Sequence, residues 1–244
     1  VPWVGWRSEN DRTHAMNDDT TPAICDTEEY CRALDYRYVS LQIAASEFGG
    51  RGDDPSHFFH QSSGKVQLSC LDTDVHFTIG EFSVIQVDLE GAWRSGMTVY
   101  EVMDITAPSF DLFQAIYKRD DYSRAAVKAL GGHPIASENI LILDRLLILP
   151  DFRGHGFGLD ALKLMLQRFS FGAGIMALKA FPLQFEPETS DDVRLGLKRF
   201  KGNHATAQRK LVSLYKQAGF ASIGRTPYML RSRESTLWEQ ERDR

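Results

Sequence analysis

Apolar and aromatic positions at Tyr30, Leu34, Tyr38, Leu41 and Ala45 recur near helical spacing, which predicts a helix from Thr27 to about Phe48. The run Gly49-Gly50-Arg51-Gly52-Asp53-Asp54-Pro55 then breaks regular structure, and its Arg-Gly-Asp triplet reads as part of a turn. Val66 to Leu71, Val75 to Ile79 and Phe82 to Leu89 alternate or run apolar with β-branched residues. The breaks at Asp72-Thr73-Asp74 and Gly80-Glu81 predict an antiparallel meander. Met97 to Tyr117 reads as two consecutive helices interrupted at Pro108, and Asp121 to Leu130 as a further short one.

Ile140 to Leu149 has only Asp144 and Arg145 as polar residues, the signature of a buried strand that Pro150 ends. Leu159, Leu162, Leu166 and Phe169 then mark an amphipathic helix closed by Gly172 and Gly174, and Ile175 to Phe181 is a second apolar run. Strand, turn, helix, strand predicts a βαβ unit with a parallel pair. Beyond a charged stretch from Gln184 to Asn203, Thr206 to Ala218 reads as a helix capped by Gly219. Short strands are expected at Phe220 to Ile223 and Tyr228 to Leu230. The fold class is therefore α/β: a mixed, mostly antiparallel sheet with a central parallel βαβ unit and flanking helices, plus an N-terminal helical extension.

Composition narrows this picture. The chain has 244 residues, 43% of them hydrophobic, enough for one large domain with its own core. No segment nears the roughly 18 consecutive apolar residues of a membrane span, so no membrane association is expected. A net charge of −5 counts against nucleic acid as the main partner. Three cysteines, Cys25, Cys31 and Cys70, are expected as free thiols in a reducing compartment, and the protein as cytoplasmic. Residues 1–15 are polar, lack the apolar run of a secretory signal, and read as a leader or flexible extension: either Met16 is the start, or the segment is an ordinary N-terminal extension. The layout is then 16–64 as an N-terminal extension packing on the main domain, 65–232 as that domain, and 233–244 as a polar tail.

The chemistry concentrates in Arg153-Gly154-His155-Gly156-Phe157-Gly158, between a buried strand and a helix. Backbone N–H groups and the positive end of the helix dipole converge there, where a diphosphate is welcome. A dinucleotide loop fails on spacing from Gly154 and passes only in the weaker form from Gly156, ending on Ala161. It also wants an acidic residue about 20 positions on, and no Asp or Glu lies between Asp160 and Glu186. A nucleoside-triphosphate loop needs Gly-Lys-Ser/Thr, whereas Leu159 and Asp160 follow Gly158.

Arg153-x-x-Gly156-x-Gly158 resembles the pyrophosphate loop of the GNAT superfamily of acyl-CoA-dependent N-acyltransferases, Arg/Gln-x-x-Gly-x-Gly/Ala. The similarity extends back through Asp144 to Phe152, like that family's fourth strand, and forward through Leu159 and Leu162. Leu214-Tyr215-Lys216-Gln217-Ala218-Gly219-Phe220 is similar to its second landmark, Leu-Tyr-x-x-x-Gly-Phe. Together these cover about Val66 to Leu230. Two departures stand out: the family's asparagine before the tyrosine is Gln208 here, and the stretch carrying Pro182, Pro187 and Glu188 to Gly202 is long.

The resemblance implies acetyl-CoA as co-substrate, with no metal, and a small-molecule or peptide amine as acceptor; a homodimer is compatible with it. It implies that the cofactor is held by Leu146, Leu147, Ile148, Arg153, Gly154, His155, Gly156, Phe157, Gly158 and Gln208. Leu146 and Ile148 act through backbone and serve equally as core. Tyr215 is the expected donor to the leaving sulfur, or alternatively a helix-packing residue. Asp144 interrupts an apolar strand and is either the base for the amine or the partner of a neighbouring group. Glu101 and Asp104 are weaker carboxylate candidates that a solvated helix face also explains. Arg153 and His155 flank the loop, where they touch phosphate or brace the turn. Lys198, Arg199, Lys201, Arg209 and Lys210 form a basic cluster suited to a 3′-phosphate, a nucleic-acid backbone or plain solvent. His57 and His60 lack metal-ligand spacing. A non-catalytic acyl-CoA-binding domain and an aminoacyl-tRNA-directed acetyltransferase are the rival readings.

Overall fold

The computed structural model describes residues 37–48, 50, 54–70, 76–119, 121–132, 135–185 and 202–233. These residues form a seven-stranded mixed sheet with helices on both faces. β1 (Arg37–Phe48), β2 (Phe59–Cys70) and β3 (His76–Val87) lead into α1 (Leu89–Arg94), α2 (Val99–Met103) and α3 (Ala107–Ile116). A small hairpin of β4 (Tyr117–Lys118) and β5 (Asp121–Tyr122) precedes α4 (Arg124–Ala129). Then come β6 (Ile140–Ile148), α5 (Phe157–Phe169), β7 (Ile175–Lys179), α6 (His204–Gln217), β8 (Ala221–Ser222) and β9 (Tyr228–Ser232). The spatial order is β1-β2-β3-β6-β7-β9-β8, and only β6 and β7 run parallel. No described helix is long and apolar enough to cross a membrane.

The alternation of each strand divides the core. Val66, Leu68, Phe82, Val84, Leu141, Leu143, Met176 and Leu178 face α5 and α6, meeting Ala161, Leu162, Met165, Leu166, Phe169 and Tyr215. Those α5 residues recur on one stripe of a 3.6-residue period, so burying that stripe selects the helix. Ile85, Val87, Ile140, Ile142, Ile175, Ala177 and Leu230 face the other way, against Val102, Met103, Leu112, Ile116 and Ala126 of α2 to α4. Capping boxes at Thr98 with Glu101 and at Thr106 with Ser109 set the starts of α2 and α3.

Three expectations are corrected. The helix predicted from Thr27 to Phe48 is, over its described part, the strand β1; Thr27 to Tyr36 lie outside the described residues. Val39 and Leu41 pack on the core while Tyr38 is 47% exposed, a two-residue period. Pairing with β2 along the length of β1 decides its state, and a local window does not reveal that partner. In consequence the boundary between 64 and 65 falls inside β2, and Arg37–Phe48 together with the first part of β2 belong to the sheet rather than to a separate helical extension. Residues 1–15, Cys25, Cys31, Glu188 to Lys201 and the polar tail from 234 onward lie outside the described residues, as does the Cys70 side chain.

The third correction concerns Gly80-Glu81, predicted as a turn. β3 runs straight through it with a bulge, the register passing from Val66 opposite Gly80 to Gln67 opposite Thr78. A Cβ at Gly80 would overlap the Leu147 carbonyl oxygen, so this glycine lets β3 and β6 approach. Gly80→Ala is expected to destabilise the fold by about 3 kcal/mol, lowering the thermal midpoint by roughly 6–12 °C, which scanning calorimetry reads directly.

Candidate functional site

β6 pairs with β3 along its length but with β7 only from Ile140 to Leu143. From Asp144 to Ile148 its β7 edge has no strand partner among the described residues, so the sheet opens there. The opening begins at a bulge: Val84 faces Leu143 and Ser83 faces Arg145, leaving Asp144 as the extra residue. Here the tertiary structure supplies the reason for a carboxylate in an apolar strand.

Asp144 keeps access to solvent yet is closely flanked by protein, and the resulting dehydration raises its carboxyl above the usual range. A hydrogen bond from the Ser83 hydroxyl and the charge of Arg145 oppose that rise without cancelling it. Ser83 itself accepts from Gln61 Nε2 at 3.3 Å, so Gln61, Ser83 and Asp144 form a chain across three strands. Neither Gln61 nor Ser83 stood out in the sequence.

The same level of the sheet carries two further residues that sequence reasoning missed. Leu143 opposite Leu178 is the last parallel pair, so Asp144 and Lys179 follow it on either side of the opening. Lys179 is paired in turn with Tyr228. Alternation puts Ser83, Lys179 and Tyr228 one step beyond Ile85, Ala177 and Leu230, on the face covered by α1 to α4. The Lys179 ammonium lies 5.7 Å from the Phe181 ring centre and 5.8 Å from that of Tyr228. Tyr228 is buried, its hydroxyl has no described hydrogen-bond partner, and burial together with Asp111 of α3 pushes it up to about 12. Phe181 and Phe185 flank His204 at 5.2 Å each, at the start of α6. The available signal was positional: Lys179 is the polar residue ending the run Ile175 to Leu178.

The free edge of β6 leads through a short 3-10 turn, Pro150–Phe152, into the glycine loop. Gly154 and Gly156 have φ of +85° and +84°, conformations that side chains with a Cβ adopt at a cost, and Gly156 caps α5. The N–H groups of His155, Gly156, Phe157 and Gly158 donate to no described residue. A Cβ at Gly154 or Gly156 would meet nothing within 4 Å. The loop therefore presents free donors and the positive end of a 13-residue helix to open space. Arg153 turns back, its Nε donating to the Ile148 carbonyl at 2.6 Å, and dehydration lowers its guanidinium to about 10, still cationic near neutrality. This bond braces the turn. His155 is exposed, with its ring 5.7 Å from that of Phe157.

Leu147 and Ile148 are buried and Leu146 partly so; Leu147 packs with Leu149 and Leu183. Tyr215 belongs to the cluster that contains Ile148, Leu162 and Phe220, on the α5 side of the sheet. Its ring meets Phe220 edge-on at 6.4 Å, and burial alone pushes its phenol up to about 12. Gln208 lines a groove of about 370 Å³ along α6 with Arg209, Val212, Ser213 and Lys216, a lining that includes none of the loop residues.

The remaining candidates have structural occupations. Glu101 closes the α2 capping box, and hydrogen bonds from the Thr98 backbone N–H and hydroxyl hold its carboxyl below the usual range. Asp104 is exposed at the C-terminus of α2. Arg209 folds onto its own helix, donating to Ala205 and Thr206, and Lys210 is exposed; Lys198, Arg199 and Lys201 lie outside the described residues. His57 bonds with the Gly50 carbonyl, and burial lowers His60. Among the described residues no group of His, Cys, Asp and Glu is arranged to hold a metal ion. No family model, no curated protein and no solved structure matches the chain.

Proposed function

We propose that the chain is a GNAT-like acyl-CoA-dependent N-acyltransferase that moves an acetyl group from acetyl-CoA to a primary amine by direct attack in a ternary complex. One observation carries the reading: unpaired N–H donors of a left-handed glycine turn cap α5 directly after a strand whose edge is free. Phosphates suit the turn, and the amides of a pantetheine arm suit the strand edge from Asp144 to Ile148 as an added strand would. Gly154, His155, Gly156, Phe157 and Gly158 bind the pyrophosphate chiefly through backbone, while Arg153 holds the turn.

In the reaction the amine nitrogen bonds to the thioester carbonyl carbon and the carbon–sulfur bond breaks. Asp144, directly or through water, takes the amine proton; its raised affinity for protons makes it a better base than an ordinary aspartate. Tyr215 approaches the leaving sulfur as a hydrogen-bond donor. A phenol at about 12 is too weak an acid to surrender its proton outright to a thiolate of about 8.5, so it orients and stabilises the sulfur. Tyr215→Phe is therefore expected to lower turnover by about tenfold while acetyl-CoA affinity stays nearly intact. Equal turnover in a stopped thiol-release assay would reduce Tyr215 to packing.

The experiment for the proposal as a whole is calorimetric titration with acetyl-CoA, CoA and NAD. Saturable binding of acetyl-CoA and CoA without NAD binding supports the reading, and thiol release with an amine separates an enzyme from a non-catalytic binder. Absence of CoA binding would overturn it.

A further inference from the structure

The opening between β6 and β7 is lined by two opposite charges that do not neutralise each other. Asp144 and Lys179 follow the last paired residues, on strands roughly 4.8 Å apart at that pair. Each is held by its own side of the opening: Asp144 by Ser83, and Lys179 by the faces of Phe181 and Tyr228. The charge of Arg145 acts on Asp144 from the next position on its own strand. Both side chains are exposed at the level where the β6–β7 pairing ends, so a ligand lying there can reach both. A plain amine makes no use of the Lys179 ammonium.

We propose that the acceptor is an amino carboxylate, its amine turned to Asp144 and its carboxylate to Lys179. This rests on the acyltransferase reading and names the substrate class for that site. A monoanionic carboxylate matches the single charge of Lys179, whose ammonium is exposed beside two aromatic rings and so is open to donating a charge-assisted hydrogen bond to a ligand. The amine of such a zwitterion is protonated in solution, which suits a carboxylate neighbour until its proton is removed. The ammonium first gives one proton to solvent by way of Asp144; the nitrogen–carbon bond then forms as the carbon–sulfur bond breaks, the second amine proton passing to Asp144 and the electron pair leaving with the thiolate, which takes up a proton from solvent. Phe181 and Tyr228 hold Lys179 in place and are positioning residues.

The test uses the full chain with acetyl-CoA and matched panels of amino carboxylates and their carboxamides, read by thiol release. Carboxylates are expected to exceed their carboxamides by about tenfold or more in kcat/KM. Lys179→Met keeps the apolar stem on the rings and removes the charge, so the ratio is expected to fall to about one. Carboxamides used as well as carboxylates, or a preference that survives Lys179→Met, would overturn the proposal while leaving the transferase reading intact. Failure of acetyl-CoA to bind in calorimetry is the separate result that removes the transferase reading and this proposal with it.

Discussion

Glutamate in place of Gly156 is expected to abolish acetyl-CoA binding, with affinity falling by about a hundredfold or more in calorimetry. Three effects add at this position. The residue sits at φ +84°, where a Cβ costs about 1–2 kcal/mol, so the turn that aims the N–H groups is strained. The new side chain starts in open space, with nothing within 4 Å to stop it from lying over the donors. Its carboxylate then occupies the positive end of α5 that the diphosphate needs. Gly154→Ala, which carries the left-handed strain at φ +85° without the charge, separates these effects: it should lose far less affinity. Undiminished affinity in Gly156→Glu would remove the loop from the cofactor site.

Asp144→Asn is expected to have opposite effects on turnover and stability. In the proposed mechanism a base at Asp144 is worth about 10²–10⁴-fold in rate, and the asparagine variant should lose that factor together with the acidic limb of the pH–rate profile. Stability should move the other way. The folded carboxyl binds its proton more tightly than the unfolded one, whose value is near 3.8, so deprotonation costs folding free energy as pH rises above that value. Asparagine carries no such penalty and still accepts from Ser83. Thermal midpoints of Asp144→Asn should thus exceed those of the parent at neutral pH and converge with them as the pH falls towards 4. A variant that loses activity with an unaltered pH profile would assign the base to another group, and a midpoint that drops would mean that the carboxylate is structurally required.

How much was legible beforehand depends on the range of the forces concerned. The βαβ unit from Ile140 to Lys179 was readable because each part carries its own signal: a nearly uninterrupted apolar strand, glycines at a turn, a 3.6-residue stripe, then a second apolar run. The loop was readable for the same reason, since left-handed backbone at Gly154 and Gly156 demands glycine locally. β1 was not: its apolar spacing fits a helix as well as a strand, and pairing with β2 settled the matter. Gly80 looked like a turn because glycine marks both a turn and a close approach, and what approaches is Leu147, far along the chain.

The candidate site divides along the same line. The amino-acid sequence by itself determined the glycine turn, the apolar strand before it with Asp144 as its odd member, and the helix bearing Tyr215, because hydrophobic period and backbone permissiveness are local properties. Only the tertiary structure decided that Asp144 is a bulge residue bonded to Ser83, that Glu101 is occupied by a helix cap, and that Lys179 and Tyr228 share a level of the sheet with Asp144. Those relations follow from strand register. Register is set by the simultaneous burial of both faces of the sheet, which no single segment encodes.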